Sequence, residues 1–196
     1  MNIFLQGASG IGKSYLFRKA LAPYIRAVSG FVVQRLTENG DNIGFRAVML
    51  DGGFPPEEIP YAAGLTGIFI LHGQRNIAAL EDTILRIEVE LRDTGHKLIL
   101  LDEIGGVELS SAIFMGALKR ILSSGTPCAG VFKSSENLAR AASNLDLEQG
   151  YFAIHRELEA FLRAAGELIT VTAENRSEIE KYFTGRLRTM MGDVDQ

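Results

Sequence analysis

The chain has 196 residues, 46% hydrophobic and 22% charged, with 20 Lys and Arg against 24 Asp and Glu for a formal charge of −4. That suits a single domain over residues 1–196, and the acidic balance without a long basic block excludes a general attraction to nucleic acid or an anionic membrane. Cys128, the single cysteine, excludes an intramolecular disulfide and fits a reducing compartment. No apolar run reaches the roughly 20 residues that span a bilayer. The opening residues lack the basic start, apolar stretch and cleavage site of a signal peptide, so the expected location is the cytoplasm.

Ile3, Phe4 and Leu5 predict a short buried strand, and Gly7-Ala8-Ser9-Gly10-Ile11-Gly12-Lys13-Ser14 follows it at once. This fits G-x-x-x-x-G-K-[ST], the phosphate-binding P-loop. Its glycines let the backbone curl so that consecutive N–H groups of residues 8–13 point at phosphate oxygens. Lys13 would reach the β- and γ-phosphates, and the Ser14 hydroxyl would coordinate Mg²⁺. A helix from about Lys13 adds its positive end, with Tyr15, Leu16, Ala20 and Leu21 predicted on one face. A glycine-rich surface turn is the plain alternative, and the strand-loop-helix context argues against it.

Ala27 to Leu36 and Asn42 to Leu50 predict two strands joined by Glu38-Asn39-Gly40-Asp41, a β-hairpin after the first helix. From Asp51 through Pro55 and Pro56 to about Leu65 the expectation is a mobile loop, then a short strand at Gly67 to Leu71. Ile77, Leu80, Ile84, Ile87 and Leu91 mark an amphipathic helix over Asn76 to Asp93. Lys97 to Leu101 is apolar enough for a strand buried on both faces. Ser110 to Leu122 predicts a helix with Ile113, Leu118 and Ile121 inward, and Pro127 to Phe132 another buried strand. Residues 134–165 predict a helical insertion interrupted near Gly150. Its face of Leu147, Tyr151, Ile154, Leu158, Phe161 and Leu162 is expected to pack on the domain. Glu167 to Val171 closes as a strand and Asn175 to Arg188 as a helix. The alternation predicts an α/β fold, a mostly parallel sheet flanked by helices, with ligands at the carboxyl ends of its strands.

Leu98-Ile99-Leu100-Leu101-Asp102-Glu103 is an apolar strand ending in two acids, the Walker B pattern. A carboxylate at such a tip needs a compensating charge, and a Mg²⁺ shared with Ser14 and phosphate supplies one to Asp102. Glu103 is then placed to activate the attacking water. The competing reading, that both acids begin a solvated loop, loses weight beside the P-loop upstream. His72, His96 and His155 show no ligand spacing for a zinc site, and Cys128 beside Pro127 reads as a small core residue.

These motifs resemble those of the THEP1-type nucleoside-triphosphatases, a family of small P-loop NTPases. Four segments carry the likeness: residues 7–14; Gly30-Phe31 with Gly44-Phe45; Asp102-Glu103-Ile104-Gly105 with Glu108-Leu109 and Phe114; and Val171-Thr172-Ala173-Glu174-Asn175-Arg176. The resemblance implies a RecA-like three-layer core and Mg²⁺-dependent hydrolysis of NTP to NDP and phosphate, with loose base selectivity and slow turnover. The chain departs from it at Val32, Val33, Gln34, Arg35 and Thr37 in the hairpin. It departs again at Gly106, where the family carries a lysine, so one cation near the catalytic loop is missing. Arg35, Arg46 and Lys133 are the cations available to replace it. For Arg176 two readings stand side by side, a cation that senses the γ-phosphate or contacts the base, and a cap or ion-pair residue at the start of the final helix; Asn175 is expected to cap that helix.

The expected function is therefore a Mg²⁺-dependent nucleoside-triphosphatase acting on ATP or GTP. In it Gly7, Ala8, Ser9, Gly10, Ile11, Gly12, Lys13, Ser14 and Arg176 bind nucleotide, Ser14 and Asp102 hold the metal, and Lys13 and Glu103 are catalytic. Two alternatives stand beside it. One is a nucleotide or small-molecule kinase with its acceptor in a cleft at 51–66, and the other a nucleotide-gated binding module with little turnover. The sequence names no protein partner.

Overall fold

The runs Ile3–Leu5, Leu98–Leu101 and Cys128–Phe132 have no polar side to offer water, and their residues are buried on both faces. They form the centre of a nine-stranded sheet in the computed structural model, which describes residues 2–92, 95–145 and 150–192. In chain order the strands are β1 (Asn2–Gly7), β2 (Val28–Glu38), β3 (Asp41–Met49), β4 (Glu58–Pro60), β5 (Ile68–Leu71), β6 (Gln74–Arg75), β7 (Leu98–Ile104), β8 (Cys128–Phe132) and β9 (Gly166–Val171). The helices are α1 (Lys13–Leu21), α2 (Ile77–Glu90), α3 (Ala112–Leu122), α4 (Ser135–Leu145), α5 (Gly150–Ala165) and α6 (Arg176–Met191).

Across the sheet the order is β6-β5-β3-β2-β7-β8-β1-β9. From β2 to β9 every neighbour is parallel, and β3, β5 and β6 extend the other edge antiparallel. Alternation along the strands divides the apolar side chains into two cores. Ile99 and Leu101 pack with Leu80, Ile84, Phe114, Leu118, Leu158 and Leu162 from α2, α3 and α5. Leu98 and Leu100 pack on the opposite face with Leu16, Phe17, Phe183 and Leu187 from α1 and α6. This is the three-layer arrangement expected, and it brings the carboxyl ends of β1, β7 and β8 to one rim.

The hairpin β2–β3 forms as predicted, turning at Asn39 (φ 53°) and Gly40 (φ 88°). The expectation of a mobile loop from 51 to 65 is corrected: β4 lies inside it and pairs in parallel with Arg35–Thr37 of β2. Arg35 N–H donates to Glu57 O and Tyr61 N–H to Thr37 O, so the segment is bonded at both ends. β7 runs three residues beyond the predicted strand and carries both acids. Two inward faces need correction as well. Tyr15 is 49% exposed, with Phe17 in the core instead, and Ile113 is 53% exposed beside its buried neighbour in sequence, Phe114. In 134–165, Tyr151, Leu158 and Leu162 are buried and Ile154 and Phe161 pack against the same core, as expected; Leu147 lies outside the described residues.

Candidate active site

β1 stops at Gly7 (φ 141°), and the loop turns through Gly10 (φ 77°) and Gly12 (φ 94°) into α1. Gly12 cannot carry a side chain without strain, because it opens the helix in the left-handed region. Lys13 is buried at the first helical position, and its Nζ donates to Gly7 O at 2.9 Å and Ala8 O at 2.7 Å. Burial lowers its pKa; the charges of Glu103 and Asp102 oppose that, and Lys133 adds to it. Asn137 of α4 donates to the same Gly7 carbonyl at 3.0 Å, so the first helix of the 134–165 stretch braces this loop.

Two strands away, Asp102 is 5% exposed at the end of β7. Its Oδ1 accepts from Ser14 Oγ at 3.3 Å, closing 88 residues of sequence. Burial first, then the charge of Glu103, raises the Asp102 carboxyl to about 7, against hydrogen bonds from Val33 and Ser14 and the field of Arg18. A hydroxyl and a carboxylate side by side are hard oxygen donors. They suit Mg²⁺, which takes one or two protein oxygens and completes its shell with phosphate and water. A cation there would also supply the charge that the buried Asp102 calls for.

Beyond Asp102 the chain leaves regular geometry. Glu103 stands at φ 60° and Gly105 at φ 94°, which turns the Glu103 side chain, 40% exposed, toward the cleft. The bend is held by the buried Glu108, whose Oε1 accepts from Gly105 N–H and, at 2.8 Å, from Gly106 N–H. The likeness flagged Glu108 as part of a motif; its role as a brace needed the fold.

The cations proposed for the missing lysine separate clearly. Arg35 lines the cleft but pairs with Glu58 at 3.6 Å. Arg46 is not among the cleft-lining residues, whereas Lys133 enters beside Gly106 and stands 3.6 Å from Glu103 Oε1. Arg176 lies against the P-loop: a Cβ on Gly12 would come within 2.8 Å of its Nη2, and its guanidinium sits 5.8 Å from the Tyr15 ring centre. Arg176 is not among the residues lining the cleft that holds Glu103. Asn175 does not cap α6 with its side chain; Oδ1 accepts from Thr172 N–H at 2.8 Å and Nδ2 donates to Thr170 O at 3.0 Å. Cys128 is buried, and burial pushes its thiol up to about 12, so it is a core residue.

The P-loop, Glu103 and Lys133 line a cleft of about 740 Å³ that runs from Ser9 and Lys13 to an apolar wall of Phe45 and Phe69. A parallel sheet with this loop, buried acid and strand-end glutamate defines a P-loop nucleoside-triphosphatase fold. The chain belongs to the NTPase family, whose model matches residues 2–183. It is 30% identical over 141 residues to a nucleoside-triphosphatase THEP1 of Thermotoga petrophila, covering 70% of this chain and 74% of that one. It is 32% identical over 134 residues to a mouse cancer-related nucleoside-triphosphatase homolog, covering 62% and 69%. The solution structure of a human cancer-related nucleoside triphosphatase superimposes with a TM-score of 0.61 at 22% identity, over 96% of this chain and 97% of that chain. The protein is a P-loop hydrolase of nucleoside triphosphates.

Proposed function

We propose that this enzyme hydrolyses ATP and GTP to the diphosphate and phosphate in a Mg²⁺-dependent reaction at this cleft. The observation that carries the reading is the 3.3 Å contact of Ser14 with Asp102, which joins the phosphate loop to a buried carboxyl of raised pKa. The backbone of residues 8–13 and the Lys13 ammonium receive the phosphate chain, and Ser14 and Asp102 hold the metal. Bound Mg²⁺ supplies positive charge to the terminal phosphates. Glu103 takes the proton of the attacking water as the water oxygen bonds to the γ-phosphorus. The bond to the β–γ bridging oxygen breaks, and its electron pair leaves on the diphosphate. Arg176, against the P-loop but outside the cleft lining, serves the base end of the nucleotide rather than the γ-phosphate. Residues 134–165 are an insertion within the single domain. The enzyme works in the cytoplasm, a location its one buried thiol suits, and its net charge of −4 speaks against nucleic acid or membrane as a partner.

Phosphate release from ATP, GTP, CTP and UTP, with Mg²⁺ or with EDTA, tests the reading. The wild type should release phosphate only with Mg²⁺, and Glu103→Gln should slow release by about 10²-fold or more while leaving nucleotide affinity nearly unchanged. Tight binding without release by the wild type would establish a nucleotide-gated switch instead. The apolar wall of Phe45, Phe69 and Ile70 favours one other outcome, transfer to an acceptor, which would appear as phosphoryl transfer only when a second nucleoside or sugar is added.

A further inference from the structure

We propose that Lys133 is the cation that meets the terminal phosphate in this enzyme, and that His155, reaching in from α5, is its positioning residue. The inference rests on the proposed nucleotide site and adds to it a residue that the P-loop and Walker B motifs leave out.

The sheet order carries the first step. β8 is parallel to β7 on one side and to β1 on the other. Its carboxyl end therefore opens between the Asp102–Glu103 tip and the P-loop, where the terminal phosphate of a bound nucleotide is expected. Lys133 is the first residue past β8. Its N–H donates to Ile104 O at 2.8 Å, so the backbone is still tied to β7 where the side chain leaves it.

The surroundings of the ammonium carry the second step. Lys133 Nζ stands 3.6 Å from Glu103 Oε1, and the side chain is 21% exposed in the cleft that also holds Lys13 and Ser14. Its field reaches both Lys13 and the buried Glu108. Lys13 and Lys133 repel each other across this cleft, Glu103 offsets part of that, and a triphosphate between them would offset the rest. Gly106 leaves room for this approach. A Cβ on Gly106 would only touch Lys133 Nζ and Cε, at 3.5 Å, and lie 3.3 Å from Glu108 Oε2, so it is a longer side chain at this position that would contend with Lys133 for the same space.

His155 carries the third. It is buried, its ring stacks on Phe132 at 4.5 Å and 27°, and its Nε2 lies 2.7 Å from Lys133 O. A carbonyl only accepts, so Nε2 holds the proton and donates. Lys133 is thus held at both backbone groups, by Ile104 and by His155. As water attacks and the diphosphate leaves, charge spreads over the phosphoryl oxygens. An ammonium fixed in the cleft beside Glu103 stabilises that charge.

The test uses the full chain, with turnover and the affinity of a fluorescent ATP analogue measured on each variant. Lys133→Met keeps the apolar stem; it should lower kcat by about 10²-fold with affinity within about threefold, and Lys133→Arg should restore most of the rate. His155→Phe keeps the ring stack but loses the donor. It should lower kcat several-fold without moving KM, and should cost nothing more when Lys133 is already Met. A kcat of Lys133→Met near wild type, no recovery with Arg, or a His155→Phe loss that persists in the double variant would overturn the proposal. Failure of the underlying site reading has a different signature: no release by the wild type, or Lys13→Ala binding nucleotide as the wild type does.

Discussion

Asp102 pays in stability for its place in the site. An ordinary aspartate titrates near 3.8; burial and Glu103 raise this one to about 7. Between those values the folded chain binds more protons than the unfolded one, so the contribution of Asp102 to stability is full below pH 3.8 and falls as pH rises through 7. A shift of about three units corresponds to at most about 4 kcal/mol. Asparagine at 102 keeps the shape and can still accept from Val33 and donate to Ser14, without the buried charge. In EDTA at pH 8, Asp102→Asn is expected to be more stable than the wild type by about 2 kcal/mol, raising Tm by about 4–8 °C. The gain should shrink as pH falls toward 4, and the variant should lose Mg²⁺-dependent turnover. Thermal melts at a series of pH values check this; a variant no more stable than the wild type at pH 8 would mean that Asp102 is compensated without a metal.

At the level of elements, the strand-end bend puts a residue other than glycine, Glu103, at positive φ, and one side chain holds it. Glu103 at φ 60° is aimed only if Gly105 and Gly106 keep their turn, and Glu108 accepts both of their N–H groups from a buried position. Glu108→Ala strands two buried donors, at a cost of about 2–3 kcal/mol. It should also lower kcat by misdirecting Glu103, whereas Glu108→Gln, which keeps an acceptor oxygen, should fall between; urea denaturation and phosphate release report the two effects. The P-loop and the acid pair were legible because each is contiguous: the fold adds only that Ser14 and Asp102 touch. Glu108 was legible as a motif letter and not as a brace, since two N–H groups bonding one carboxylate leave no pattern in sequence. Tyr15 and Ile113 failed for another reason. Helical spacing locates an apolar stripe, but the neighbour that covers it is set by packing, and Phe17 and Phe114 took the core positions. β4 was invisible because a three-residue strand that itself ends in a proline has no periodicity to find.

For the whole molecule, the site is a meeting of distant segments. The loop comes from β1 and α1, the acids from β7, the second lysine from the end of β8, the brace at Gly7 from α4, and an arginine from α6. Sheet order assembles them, and this is why Lys133 and His155 could not be chosen from the sequence among the other cations and histidines. A ligand that binds only this assembled state stabilises the entire fold by mass action. Nucleotide with Mg²⁺ at about 100 times its Kd should add about 2.7 kcal/mol, and for a chain of this length about 5–10 °C in Tm. Lys13 gives the sharpest control. Its ammonium is already bonded to Gly7 O and Ala8 O, and burial makes its charge costly, so Lys13→Ala should change the melt of the nucleotide-free protein little. In the presence of nucleotide the same variant should lose at least tenfold in affinity, about 1.4 kcal/mol, and with it about 3–6 °C of the shift. EDTA should remove a further part from the wild type through Ser14 and Asp102. A nucleotide shift equal in Lys13→Ala and wild type would place the binding site somewhere other than the loop that opens this chain.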